Sequence, residues 1–183
     1  MKKASTPLVI FGLAYLVLIG LVTTSSPGLP DRMATHFGAG GQPDGWSSRA
    51  SYVWFMMVFG LVFPLFAPAI CYAARFLPDR LLNIPHRDYW VAPERRRETY
   101  GYLFRHSLWL APLMAGFVIG MHLTTVQANR LAEPQLPTAT TWAMTGILLA
   151  GIGIWLVPVI RHFKRAPRQG QNHCSGRGCD GGG

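Results

Sequence analysis

The sequence predicts an all-α, polytopic membrane protein with four transmembrane helices and both termini on the inner side (N-in/C-in). Three observations predict it. Half of the 183 residues are hydrophobic and only 14% are charged, whereas soluble domains carry about 25% charged residues. Asp, Glu, Lys and Arg are absent from four stretches, Ala4–Pro30, Ala50–Ala74, His106–Asn129 and Pro134–Ile160. Each is long enough for the roughly 20 helical residues that cross a bilayer. Finally, of the 17 Lys and Arg residues, all but Arg32, Arg49 and Arg130 fall in segments that a single threading puts on the same side. That bias sets orientation by the positive-inside rule.

Within lipid, backbone polar groups must be bonded inside their own segment, so apolar runs of this length read as helices. The first is expected over Pro7–Thr24. Lys2 and Lys3 followed by an apolar run also resemble a signal peptide, but the run is long for that role and no A-x-A site follows. A retained helix is therefore the expectation. The second span is expected over Ser51–Ala74, the third over Ser107–Ala128 and the fourth over Thr141–Ile160. Residues 1–160 form the membrane domain, with an outer loop at 29–49 and an inner loop at 75–105. Residues 161–183 read as a basic, Gly-rich, disordered cytoplasmic tail. Pro64, Pro68, Pro112 and Pro158 lie inside the spans and predict kinks. Gly116 and Gly120 form a G-x-x-x-G pair, a candidate helix-packing face. In the inner loop, Ala92-Pro93-Glu94 has the look of a helix start, with Pro at the first helical position. One continuous helix is expected from Pro93 to about Ala128, bent near Pro112. Asn83, Tyr89 and Trp90 precede it, the aromatic pair serving as anchors against the bundle, and Arg95 lies in its first turn.

The apolar spans argue against several functions. No Asp, Glu, Lys or Arg lies in a span interior, whereas proton relays and ion pathways keep an ionisable group there. His122 is the exception, about 24 Å along its helix at 1.5 Å per residue. That height puts it near the outer interface, where no special role is required. The net charge of +9 is explained by one-sided loops, so direct nucleic-acid binding is not expected. Cys71 reads as a small core residue. Cys174 and Cys179, with His173 and Asp180, are too widely spaced for a convincing zinc knuckle. No metal and no cofactor are expected.

The outer loop reads LPDRMATHFGAGGQPDGWSSR. Gly38, Gly40, Gly41 and Gly45 with Pro43-Asp44 are strong turn signals, and Ser47, Ser48 or Ser51 can cap the second helix. The loop is expected to be compact. Asp31 and Asp44 are expected to bond local backbone, with His36 and Phe37 packed on the helix ends. Asp31, His36 and Asp44 lack the helical spacing of a metal or acid–base site, and no strand is read before the glycines to make a phosphate cradle. The echo of Leu-Pro-Asp-Arg at Leu77 reads as a coincidence of helix-exit chemistry.

Leu29, Pro30, His36, Phe37, Gly41, Pro43, Asp44, Gly45 and Trp46 resemble the signature loop of a bacterial membrane family, the domain of unknown function 1648. Its pattern is roughly L-P-x-x-x-P-x-H-F-x-x-x-G-x-P-D-G-W, and Ala34 stands at its second Pro, a departure read as affecting turn stiffness. LNIPHRDYWVAPERRRET is similar to an inner-loop segment that often accompanies the domain, with His86 at a position where Asn is commoner. The resemblance implies an integral membrane protein without assigned enzymatic activity. Its SdpI-like members resemble toxin-immunity and signal-transducing proteins, and carry a further membrane half for which this chain is short.

The expectation is therefore a non-enzymatic, multi-pass protein of the plasma or inner membrane. It would sense, signal or confer immunity through His36, Phe37, Asp44, Gly45 and Trp46, coupled to the inner motif. Its candidate partners are the lipid bilayer, an extracytoplasmic peptide or toxin, a cytoplasmic regulator and a second copy. The alternative is a small enzyme or transporter using His36 with Asp31 and Asp44.

Overall fold

The structure, a computed structural model, describes residues 2–165. Four helical stretches in it are long and apolar enough to cross a membrane. They are α1 (Lys2–Ser25), α2 (Arg49–Ala73), the pair α4 (Pro93–Ser107) and α5 (Leu110–Asn129), and α6 (Thr138–Lys164). Between α1 and α2 stand two strands, β1 (Arg32–Phe37) and β2 (Pro43–Ser48), and a short helix α3 (Arg87–Trp90) precedes α4. The fold is thus the expected helical bundle, with a small hairpin at one end that the sequence reading left as turns. α6 runs on to Lys164, so the first residues of the expected tail are helical. The Cys174 and Cys179 segment lies outside the described residues.

α5 is the central helix, packed on α1, α2 and α6. The most apolar window of the α4–α5 stretch is 44% buried within the chain, against 6% for α6. α6 therefore has few residues fully buried within the chain, as a helix at the rim of a bundle does. The main core cluster joins Leu18 and Val22 of α1, Tyr52 and Met56 of α2, Val118 and Val126 of α5, and Met33 of the hairpin. Small residues set the helix spacing. A Cβ on Gly60 would collide with the Leu18 side chain, and one on Gly120 would lie 2.9 Å from the Met144 sulfur. Nothing lies within 4 Å of a Cβ on Gly116, which instead borders a groove between α5 and α6.

The expected continuous helix from Pro93 is interrupted, and earlier than the proline that was expected to bend it. α4 ends at Ser107 and α5 begins at Leu110. The reason is the usual reach of proline. Pro112 has no N–H for the carbonyl four residues back and its ring crowds that carbonyl, and the residue four back is Leu108. The Leu108 carbonyl is taken instead by the Ala111 N–H at 3.3 Å.

Both Leu-Pro-Asp segments leave their helices in the same way. Each helix tightens into a 3₁₀ turn, Ser26–Gly28 or Ala74–Phe76. The following Leu N–H closes that turn, Leu29 on the Ser26 carbonyl and Leu77 on the Ala74 carbonyl. In each copy the Asp then pairs with an Arg from the start of the next long helix, Asp31 with Arg49 and Asp79 with Arg96. That Arg also donates to a carbonyl at the preceding exit, Leu29 or Arg75. The echo is one helix-exit device used at both ends of α2.

Candidate functional site

The hairpin is antiparallel and carries two register shifts. Ala34 faces Trp46 and His36 faces Gly45, so Thr35 is an extra residue on β1. His36 faces Gly45 and Phe37 faces Pro43, so Asp44 is an extra residue on β2. Such bulges re-aim side chains. Here the second lets the Asp44 carboxylate meet His36 Nδ1. A Cβ on Gly45 would sit 2.7 Å from the His36 Cβ, so the close pairing needs glycine there. Gly41 closes the tip at φ +80°, in the left-handed region glycine favours. Its carbonyl accepts the Leu136 N–H at 2.9 Å, tying the tip to the connection before α6. Arg32 lies over the Trp46 ring, 5.4 Å from its centroid.

The hairpin's base is clamped to the bundle by Asn129, the last residue of α5. Its Oδ1 accepts the Ala34 N–H at 2.8 Å, and its Nδ2 donates to the Ala34 carbonyl at 2.8 Å and the Thr125 carbonyl at 2.9 Å. The carboxamide thus pairs with the Ala34 peptide as a neighbouring strand would. Ala34 and Met33 are fully buried. Ala34 therefore does more than change turn stiffness. The signature proline at that position has no N–H to offer Asn129.

Beneath the hairpin lies a cleft of about 350 Å³. Thr35, Ser47 and Ser51 supply hydroxyls at one side, and Tyr52, Met56 and Met121 supply ring and thioether surface. Behind it the Tyr52 hydroxyl meets His122 Nδ1 at 2.9 Å, and the Ser25 hydroxyl meets His122 Nε2 at 3.1 Å. His122 is fully buried, not lying free at an interface. It joins α1, α2 and α5 through one ring.

The expected acid–base set is not assembled. His36 and Asp44 pair directly, with side chains 76% and 53% exposed, while Asp31 is drawn away to Arg49 at 2.8 Å. Asp44 therefore bonds the His36 side chain and Asp31 the Arg49 guanidinium, where local backbone partners were expected. Phe37 is half-buried and His36 exposed. Among the described residues no group of three His, Cys, Asp or Glu could hold a metal ion.

At the other end of the bundle, Trp90 donates its indole N–H to the Phe163 carbonyl at 3.0 Å and packs on His162 and Phe163 of α6. Thr99 of α4 donates to the Trp90 carbonyl at 2.7 Å. Arg95 lies over the Tyr89 ring at 4.0 Å, and Pro93 opens α4 as expected. Asn83 and Glu94 are exposed. His86 adopts φ +53°, a conformation that Asn tolerates better than most side chains, which fits the commoner Asn of the resembling segment. Asp79 accepts from Arg96 and Tyr100. These hydrogen bonds, that from Arg96 first, hold its carboxyl below the ordinary value of 3.8.

Asn129, His122, Tyr52 and Asp79 were missed as site residues by sequence reasoning. The available signal was a lone Asn at the end of an apolar helix and a His in an otherwise uncharged one.

Fold and hairpin together define a multi-pass helical membrane protein with a folded loop at one end. Residues 10–61, which span most of α1, the hairpin and the first half of α2, match the sequence model of a domain of unknown function (DUF1648). This segment therefore matches the domain that its loop residues resemble, over less than a third of the chain. No curated protein and no solved structure matches the chain.

Proposed function

We propose that the protein is a non-enzymatic membrane receptor or immunity factor whose hairpin and underlying cleft recognise a ligand on the outer face of the cell membrane. The carrying observation is that the hairpin is clamped through Ala34 and Asn129 over a cleft of about 350 Å³. An apolar floor with a few hydroxyls suits an amphipathic occupant such as a hydrophobic peptide segment. α2 supports coupling to the inner motif, because the Arg49 and Arg96 devices grip its two ends.

The test plugs the cleft. Thr35→Trp should mimic an occupant and change hydrogen exchange across residues 77–100 at the far end of α2. Unchanged exchange there, with altered exchange confined to the hairpin, would remove the coupling. A second reading, catalysis at the outer loop, rests on the direct His36–Asp44 pair. Metal found in stoichiometric amount in purified protein, and lost in His36→Ala, would favour it.

A further inference from the structure

At the end of the bundle away from the hairpin, α2 and α4 flank an open cleft of about 770 Å³. Arg75, Arg96, Arg97 and Arg105 line it together with the rings of Tyr72 and Phe104. The charges in it do not balance. Asp79 is bonded to Arg96 and Tyr100, so its carboxylate neutralises only one guanidinium. None of the ion pairs among the described residues involves Arg75, Arg97 or Arg105.

Two of these side chains are nonetheless oriented. Arg75 donates its Nε–H to the Tyr72 carbonyl at 3.0 Å and lies over the Tyr72 ring, 3.8 Å from its centroid. Arg105 folds back along α4, its Nη1 only 3.0 Å from where a Cβ on Gly101 would be. Glycine inside a helix is unfavourable relative to alanine, and here its missing side chain is what admits the guanidinium to the cleft.

The level of the cleft follows from the sequence. Arg75 is the first charged residue after the uncharged run of α2, and Arg105 is the last before the uncharged run of α5. The site therefore lies where apolar span gives way to headgroup region. Phe76, Leu77 and Leu81 beside it are exposed.

We propose that this cleft is a binding site for the phosphate of an anionic membrane lipid. Arg97 and Arg105 contact the phosphate, and Arg75, laid on Tyr72, completes the cationic wall. Arg96 is held by Asp79 and positions the segment. Unpaired guanidinium groups converging in a concave site at headgroup depth match a lipid phosphate in charge and place.

The full chain in neutral detergent, titrated with phosphatidylglycerol and read by native mass spectrometry, tests this. Arg97→Gln with Arg105→Gln should weaken phosphatidylglycerol binding about thirtyfold, at a little over fivefold for each Arg near the surface. Gly101→Leu should also weaken it, with the charge unchanged. Arg161→Gln with Arg165→Gln, which removes equal charge from the end of α6, should change it less than about threefold. An equal loss in that control would overturn the site in favour of diffuse attraction. Displacement of the lipid by inorganic phosphate at the same concentration would overturn the lipid assignment. Phosphatidylcholine binding as tight as phosphatidylglycerol would do so as well.

Discussion

Asn129→Leu is the perturbation that reads most directly on the hairpin. Leucine keeps the approximate size of the side chain and removes the carboxamide, so packing changes little. The Ala34 N–H and C=O lose their only bonds from Asn129 while Ala34 stays fully buried. A stranded buried polar group costs about 1–3 kcal/mol, which gives about 2–6 kcal/mol for the two. A lower bound comes from membrane proteins, where such bonds average about 0.6 kcal/mol each; three bonds then give about 2 kcal/mol. The alternative open to the variant is to lift the hairpin and hydrate Ala34. That exposes Met33, fully buried in the core, at about 1.5–3 kcal/mol. The two costs are comparable, so part of the population should open. The expected result is a loss of about 2–4 kcal/mol in denaturant unfolding, together with faster hydrogen exchange at Met33 and Ala34. Asn129→Asp keeps the acceptor for Ala34 and loses both donors, so it should fall between. Wild-type stability and unchanged exchange at Ala34 in Asn129→Leu would refute the clamp.

Other expectations follow from single residues. Ala34→Pro should destabilise the hairpin by about 1–3 kcal/mol through the lost N–H to Asn129, and in the Asn129→Leu background its added cost should shrink, which a double-mutant cycle measures. His86→Asn should stabilise by up to about 1 kcal/mol, because His86 sits at φ +53° and a left-handed backbone costs most side chains about 1–2 kcal/mol; a rise in melting temperature checks it, and a fall contradicts it. Asp79 has a depressed carboxyl pKa, so its stabilisation is present above the ordinary value and lost as pH falls through the lowered one. Stability of the wild type should therefore drop more steeply below about pH 4 than that of Asp79→Asn, compared in acid titrations of unfolding.

The four spans were legible because apolar runs of this length have no other common meaning. The start of α4 was legible because Ala92-Pro93-Glu94 is local chemistry. The helix break was misplaced by one turn, because proline acts on the carbonyl four residues back and not at its own position. The hairpin was not legible. Its strand Arg32–Phe37 buries Met33 and Ala34 side by side, which breaks the alternation by which a strand is read, and its partner Pro43–Ser48 opens on Pro-Asp-Gly, residues that read as a turn. The site around His122 was not legible for a different reason. Counting residues along a helix gives height, whereas Tyr52 and Ser25 meet His122 because of the rotation at which α1, α2 and α5 pack. Asn129 belongs to the same class, since its partner Ala34 is a backbone that no side-chain pattern reveals. The twin Leu-Pro-Asp exits lay in plain sight, but their Arg partners are 18 residues on in one copy and 17 in the other, at Arg49 and Arg96, too far for a local motif to announce.

The proposed placement of the hairpin and its cleft on the outer face predicts a contrast that single cysteines read directly. In a background with Cys71, Cys174 and Cys179 replaced by Ser, Trp46→Cys, Met33→Cys and Leu81→Cys are exposed to a membrane-impermeant thiol reagent on intact cells. Trp46 is 43% exposed and Met33 fully buried, so the first should label quickly and the second only when Asn129→Leu is added. Leu81, 63% exposed but at the other end of the bundle, should label only after lysis. Equal labelling of positions 33 and 46 would make the loop an unstructured connector. Labelling of position 81 in intact cells would invert the topology on which the outer site depends.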